Sequence, residues 1–270
     1  DIPVIVISAS SDMKSVIKGI QMGAEDFLPK PFEPTLLAAR VSSSLEKKRL
    51  RDLQVLYLKS LEHEFEIARD IQLSFLPAEL PRFENYEIAA FLKAAREVAG
   101  DFYDAFLLPD GNLALVVGDV CGKGIGAALF MTLFRSLIHA TATSDITCQR
   151  NDMKALASGE RLAHVISFTN EYIADIHGDA NMFATVFAGI LDRDRNILHY
   201  VNCGNEPPLL VRSGRVIAAL IPSGPVIGVI PGAAYEVREV EFERGDVLIA
   251  FTDGITDSKN DQEEFFGTPR

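Results

Sequence analysis

Apolar and polar positions along the chain follow two periods. Residues 3–8, PVIVIS, form a continuous β-branched run, the pattern of a strand buried on both faces of a parallel sheet. Residues 13–22 repeat apolar side chains at helical spacing, with Val16, Ile17 and Ile20 inward and Gly23 as the stop. Asp26-Phe27-Leu28 is a short strand running into Pro29-Lys30-Pro31-Phe32, and Pro34 opens another helix. Strand, helix, strand, helix predicts a βαβα piece of a doubly wound sheet. Between Thr35 and Leu76 there is neither Pro nor Gly, and Leu50, Leu53, Tyr57, Leu61, Phe65, Ala68 and Ile71 recur every three or four residues. One stripe of this length predicts a long helix. Either it pairs with a second copy as a parallel coiled coil, or it packs on its own chain. Pro77 and Pro81 close it.

Beyond the prolines the period shortens. Residues 86–92, 182–191, 197–202, 209–211 and 235–242 read as strands, with a turn at 192–196. Residues 113–117 and 246–252 (DVLIAFT) read as buried strands, and Asp110-Gly111-Asn112 as a hairpin turn. Residues 127–140 and 161–176 read as helices, the second with Leu162, Val165, Ile166 and Ile173 inward, while 141–160 is polar and irregular.

Charge and cysteine content narrow the chemistry. The net charge of −12 is uneven: residues 1–60 carry 9 Lys+Arg against 7 Asp+Glu, and the rest 17 against 31. So acidic a main domain argues against nucleic acid as partner, because phosphate backbones need a basic face. The three cysteines, Cys121, Cys148 and Cys203, form no zinc pattern or disulfide framework, which predicts a reducing, cytoplasmic setting. No apolar run approaches the roughly 20 residues of a membrane span, and no signal peptide opens the chain. The chain starts inside an element without Met, so its natural N-terminus is expected upstream.

The stretch 113–128, LALVVGDVCGKGIGAA, carries a strand to Gly118-Asp119, then Gly122, Gly124 and Gly126, then a helical pattern. Its spacing is neither that of a Walker phosphate loop nor that of a dinucleotide fingerprint. Alone it is either a tight turn whose Asp is solvated or a place where backbone and carboxylate approach a cation. Gly100-Asp101 and Asp253-Gly254 repeat the pairing of acid and glycine at two further strand ends. Oxygen donors without thiol or imidazole predict Mg²⁺ or Mn²⁺ rather than zinc. Several carboxylates at one site repel unless cations bridge them, and two metals held close can activate water for attack at phosphorus. No Ser-His-Asp or Cys-His arrangement points to a covalent enzyme. His139, His164, His177 and His199 read as structural or solvated, and Lys123 as either near a phosphate or in solvent.

Two resemblances join these readings. ISAS followed by GAEDFLPKPF resembles the C-terminal half of a response-regulator receiver domain. The resemblance implies Ser8 as the hydroxyl switch residue, Phe27 as the switch aromatic, Lys30 as the phosphate-pairing lysine and a cis Lys30–Pro31 peptide. The family's phosphoacceptor aspartate and acidic magnesium pair would lie outside this chain, as would a cognate histidine kinase. The motifs ARDIQLSFLP, AREVAGDFYDAF, LALVVGDVCGKGIGAALFMT, MFATVFAGILD, YVNCGNEPPLL and VLIAFTDGITDS, in this order, resemble the bacterial type-2C (PPM) serine phosphatases of the SpoIIE/RsbU class.

Together they imply an α/β chain of three parts: a partial receiver (1–45), a helical coiled-coil-like connector (46–76) forming a homodimer, and a PPM-type α-β-β-α sandwich phosphatase domain (77–270). The implied site holds two ions, Mn²⁺ or Mg²⁺. Asp119 bridges them, the Val120 carbonyl is a backbone ligand, Asp101 holds one metal and Asp253 the other. Asp104 lies beside the site, and Gly124 belongs to the regulatory loop leading into the following helix. The implied substrate is a phosphoserine or phosphothreonine protein such as a STAS-domain anti-sigma-factor antagonist. Ala99 stands where the family has the first glycine of GGD, and Gly204-Asn205-Glu206-Pro207-Pro208 replaces GHNPP, a change expected to alter substrate contacts. The family's further metal-binding Asp follows FG, and this chain ends just after Phe266-Gly267, so the domain is expected to be truncated. The rival reading is a pseudophosphatase adaptor that binds a partner without catalysis.

Overall fold

Parallel strands need a crossover, and the N-terminal residues supply one. β1 (Ile5–Ser8) and β2 (Asp26–Pro29) pair in parallel, from Ile5 opposite Asp26 to Ser8 opposite Pro29, with α1 (Met13–Gln21) between them. The structure is a computed structural model describing residues 2–9, 13–95, 97–144 and 157–267. It divides into two units, Asp1–Glu66 and Ile67–Arg270. Gly23, at φ 96°, ends α1, since only glycine takes that backbone cheaply. The Lys30–Pro31 peptide is cis. β1 is less covered than its β-branched run predicts: Ile7 is 40% exposed, because β2 is its only strand neighbour among the described residues.

α2 (Pro34–Phe75) is one helix of 42 residues, with Pro at its first position, where the missing N–H costs nothing. Arg40 reaches Asp26 at 2.8 Å and Arg51 grips Glu25, so the first turns of α2 are tied to β2 and the turn before it. Leu50, Leu53, Leu56, Tyr57 and Leu58 are exposed along the middle of the helix.

The second unit is built on two antiparallel sheets. The first has five strands in the order β3-β4-β5-β6-β9: β3 (Asp101–Leu107), β4 (Leu113–Val120), β5 (Ala184–Asp192), β6 (Ile197–Cys203) and β9 (Arg238–Glu241). The second has three: β10 (Val247–Ile249), β7 (Leu209–Arg212) and β8 (Arg215–Ala219). α3 (Ile125–Thr143) and α4 (Ser158–His177) cover one face of the large sheet. Phe102, Val116, Met131, Phe134, Ile166 and Val186 fill that interface, while Leu113, Phe187, Leu198, Tyr200 and Leu220 form a second cluster that Ala218 and Leu248 of the small sheet join. These are three layers of the expected α-β-β-α sandwich; an outer helical layer on the small sheet is not among the described elements.

α3 is long and apolar enough, by length and composition, to cross a membrane. The apolar runs read from the sequence miss this, because Thr132, Arg135, Ser136 and His139 interrupt them. Here α3 is a core helix that buries Ala127, Met131, Phe134 and Ile138 against the sheet. Arg161 of α4, itself buried, donates to the Ala142 carbonyl in the last turn of α3, where carbonyls lack helical partners. Of the polar stretch expected at 141–160, residues 145–156 lie outside the described residues; α3 runs on to Thr143 and α4 begins at Ser158.

Two strand expectations need correction, and a third strand was not expected. Residues 86–92 form no strand, although Tyr86 and Ile88 pack on the inter-sheet cluster and Leu92 on the helical side. Their alternation satisfies packing through side chains without a backbone ladder. Residues 246–252 shrink to β10, which lies at the edge of the small sheet and leaves Val247 and Ile249 about half exposed rather than buried. β8 escapes the sequence reading. It follows a turn in which Ser213 (φ 50°) and Gly214 (φ 76°) both adopt left-handed backbone, the signature of a two-residue hairpin.

Candidate metal centre

The site begins where β3 starts and β4 ends. In their antiparallel register Asp101 stands directly opposite Asp119, so strand alternation sends both carboxylates to one face. Gly118 precedes Asp119 for a steric reason: a Cβ there would lie 2.7 Å from the Phe102 ring. Gly100 is required more strictly. Its Cβ would meet the Val120 carbonyl at 2.8 Å and Asp119 Oδ1 at 3.1 Å. The missing side chain leaves a cradle in which a backbone oxygen and the Asp119 carboxylate converge beside Asp101. Past Val120 the chain turns through Gly122 (φ 95°) and Gly124 (φ 78°) into α3, while Gly126 already lies in the helix.

Asp253 enters from the small sheet. It is the first residue of α5 (Asp253–Thr256), and the hydroxyl of Thr252 hydrogen-bonds the Asp101 carboxylate. A Cβ on Gly254 would come within 3.7 Å of Asp101 Oδ2. The electrostatics register this crowding. Burial raises the Asp101 carboxyl, and the charge of Asp253 adds to the rise. Asp119 is pushed up to about 7, first by burial and then by the charges of Asp101 and Asp253. Like charges this close oppose one another's ionisation, the situation that a bound cation relieves.

The donor set suits a hard divalent cation. It is all oxygen, it includes a backbone carbonyl beside the carboxylates, and its carboxylates are crowded enough to raise one another. Asp101 and Asp119 are in side-chain contact, whereas Asp253 acts on both through its charge; among the described residues no three His, Cys, Asp or Glu side chains form a finished ligand group.

Comparison with known proteins settles the family. The profile of stage II sporulation protein E (SpoIIE) matches residues 109–270. The chain belongs to the SpoIIE family. Protein IcfG of Synechocystis is 40% identical over 223 residues, 77% of this chain and 34% of that protein. Phosphoserine phosphatase RsbU of Bacillus subtilis is 25% identical over 217 residues, 80% of this chain and 59% of that one. The chain thus spans between a third and three-fifths of these relatives. The SiaA-PP2C domain of Pseudomonas aeruginosa shares the fold, with a TM-score of 0.62 and 21% identity over 79% of this chain and 80% of that one.

In the second unit the site residues named from sequence separate into two groups. Asp101, Asp119, the Val120 carbonyl and Asp253 gather as described, and Gly124 sits at the N-cap of α3. Asp104 does not join them. Three residues along β3 from Asp101, it points to the opposite face, where it is buried in an ion pair with Arg135 (2.8 Å) and a hydrogen bond from His139 (2.9 Å), both on α3. His139 also stacks on Phe106, with ring centroids 3.9 Å apart.

In the Gly204–Pro208 loop Gly204 is exposed and Glu206 and Pro207 are half-buried, while Asn205 turns inward: it is buried, and its amide donates to the Phe251 carbonyl at 3.1 Å and the Glu206 carbonyl at 2.9 Å. Asn202 receives the Asn205 N–H at 2.9 Å and donates to the Leu220 carbonyl at 2.8 Å. This asparagine pair fixes the backbone two residues before Asp253. In the first unit, Ser8 and Lys30 meet at the same end of the parallel pair, the Lys30 N–H donating to the Ser8 carbonyl at 2.8 Å, and Phe27 lies on β2 opposite Val6.

Proposed function

We propose that this chain is part of a two-component response regulator whose output is a metal-dependent protein serine/threonine phosphatase. The observation that carries the reading is the Asp101–Asp119 pair, held with the Val120 carbonyl and near Asp253 at the strand ends of a SpoIIE-type domain. Two ions, Mn²⁺ or Mg²⁺, would be held by Asp119, Asp101, Asp253 and the Val120 carbonyl, with Asp119 serving both. Bound there, such ions supply a water acidified enough to attack phosphorus.

The chain's own residues prepare the site. Gly100 keeps the cradle open and Thr252 orients Asp101. Residues 1–45 are proposed as the end of a receiver addressed by a histidine kinase, with Ser8, Phe27 and Lys30 as its switch residues. Residues 46–76 are proposed as a dimerising connector and 77–270 as the phosphatase domain. The exposed leucines of α2 support the dimer. The setting is proposed as the cytoplasm, and the substrate as a phosphoserine protein; RsbU, a phosphoserine phosphatase, supports the latter, and a STAS-domain anti-sigma-factor antagonist is the proposed member of that class.

The test is phosphate release from a phosphoserine STAS protein and from a phosphotyrosine peptide, with and without Mn²⁺. Release from phosphoserine that requires Mn²⁺ is expected; release indifferent to the metal would end the reading. One observation favours a pseudophosphatase adaptor instead: among the described residues no three acidic side chains form a finished ligand group. Calorimetry separates the two, since an adaptor of that kind takes up no Mn²⁺.

A further inference from the structure

We propose that Gln72, in the last turn of α2, is a positioning residue for the metal ligand Asp101. This rests on the phosphatase reading. Gln72 is 5% exposed, the most buried polar side chain of the helix within the second unit. Its amide closes two hydrogen bonds on one residue: Nε2 donates to the Ala99 carbonyl at 2.7 Å, and the Ala99 N–H donates to Oε1 at 3.0 Å. The amide thus does for Ala99 what a neighbouring strand does for a residue inside a sheet. Ala99 has need of it, because β3 and its ladder begin only at Asp101.

The two residues after Ala99 make the clasp matter for chemistry. The next carbonyl, of Gly100, accepts the Val120 N–H at 3.3 Å, and Gly100 packs where a Cβ would strike the Val120 carbonyl and Asp119. The next residue is Asp101. Three consecutive residues are therefore aligned against the end of β4 by one glutamine on a helix. Loss of the clasp frees Ala99, loosens the long Gly100–Val120 bond and lets the two carboxylates drift from their common face. Outer partners that orient metal ligands change metal affinity by about 10- to 100-fold when removed. The clasp also makes the end of α2 part of the frame of the site, so a displacement of that turn reaches Asp101 through two hydrogen bonds.

The experiment compares the full chain with Gln72→Leu, which keeps bulk and removes the amide, and Gln72→Asn, which keeps the amide but withdraws it by one methylene. Mn²⁺ binding is measured by calorimetry, and amide hydrogen exchange is followed at Ala99, at Val120 and at Leu210 in the small sheet. Both variants are expected to weaken Mn²⁺ binding by about 10- to 100-fold and to speed exchange at Ala99 and Val120, with Leu210 unchanged and KM for a phosphoserine peptide unchanged. Should Gln72→Leu fail to fold, Gln72→Asn carries the test. Unchanged Mn²⁺ affinity, or faster exchange at all three amides alike, overturns the proposal, because Gln72 would then serve stability alone. If the unaltered chain takes up no Mn²⁺, the phosphatase reading fails separately, and exchange at Val120 decides the positioning claim by itself.

Discussion

Asp104→Asn is a sharp test of how the large sheet and α3 hold together. The side chain of Asp104 is 2% exposed, and its partners Arg135 and His139 are 17% and 35% exposed. Both partners contact Oδ2, leaving Oδ1 buried without a hydrogen bond. The substitution preserves volume, so no cavity opens and the loss is electrostatic. Breaking a fully buried ion pair costs about 3–5 kcal/mol because the survivor is stranded. Here Arg135 and His139 can turn partly to water, which brings the expected loss to about 2–3 kcal/mol. For a unit of this size that lowers Tm by about 4–12 °C. Urea unfolding followed by circular dichroism suits a chain without tryptophan; the midpoint should fall while the slope stays constant. Adding Arg135→Met should return part of the loss, since it removes the stranded charge. A loss below about 0.5 kcal/mol, the level of an ordinary surface change, would refute the buried counter-charge.

Three further outcomes are expected at the site. The folded Asp119 carboxyl sits at about 7 against an ordinary 3.8, so the folded chain binds a proton that the unfolded chain releases. Metal-free stability is then complete below about pH 4 and lost as pH rises through 7, by about 1–2 kcal/mol once the part exposure of Asp119 is discounted; urea midpoints in EDTA at pH 5 and pH 8 check this, and a midpoint that rises with pH contradicts it. Gly100→Ala places a methyl 2.8 Å from the Val120 carbonyl and should weaken Mn²⁺ uptake by calorimetry, whereas uptake equal to the unaltered chain would mean the cradle is not the site. Asn205→Ala strips the Phe251 carbonyl of its donor and should cost about 1–3 kcal/mol in urea unfolding; a rise in KM alone, with stability kept, would return Asn205 to the substrate surface.

The acids of the site were legible because each sits beside a glycine at the end of an apolar run, a pattern that strand physics makes visible without any contact map. Asp119 and Asp101 then fall opposite one another because the hairpin at Asp110–Asn112 sets the register. Asp104 was not legible in the same way. Its role is decided by alternation, which turns it away from Asp101, and by partners on a helix more than thirty residues later. Gln72 lies inside the motif ARDIQLSFLP, yet its role was not legible, since a glutamine in a polar helix reads as surface until the loop it clasps is known. Residues 86–92 show the opposite failure: the alternation is real and the side chains do pack, but a strand also needs a backbone partner, which no local pattern announces. Long helical stripes fared best, because α2, α3 and α4 need only their own periodicity to form.

The central claim is that Asp119 holds the cations with which the SpoIIE-type domain hydrolyses phosphoserine. Its most direct test is Mn²⁺-dependent phosphate release from a phosphoserine protein by the unaltered protein and by Asp119→Asn, with folding of both confirmed by circular dichroism. The account predicts that the substitution lowers kcat by about a thousandfold, the several kcal/mol that metal activation of water contributes. Mn²⁺-dependent turnover by Asp119→Asn equal to that of the unaltered protein would contradict it.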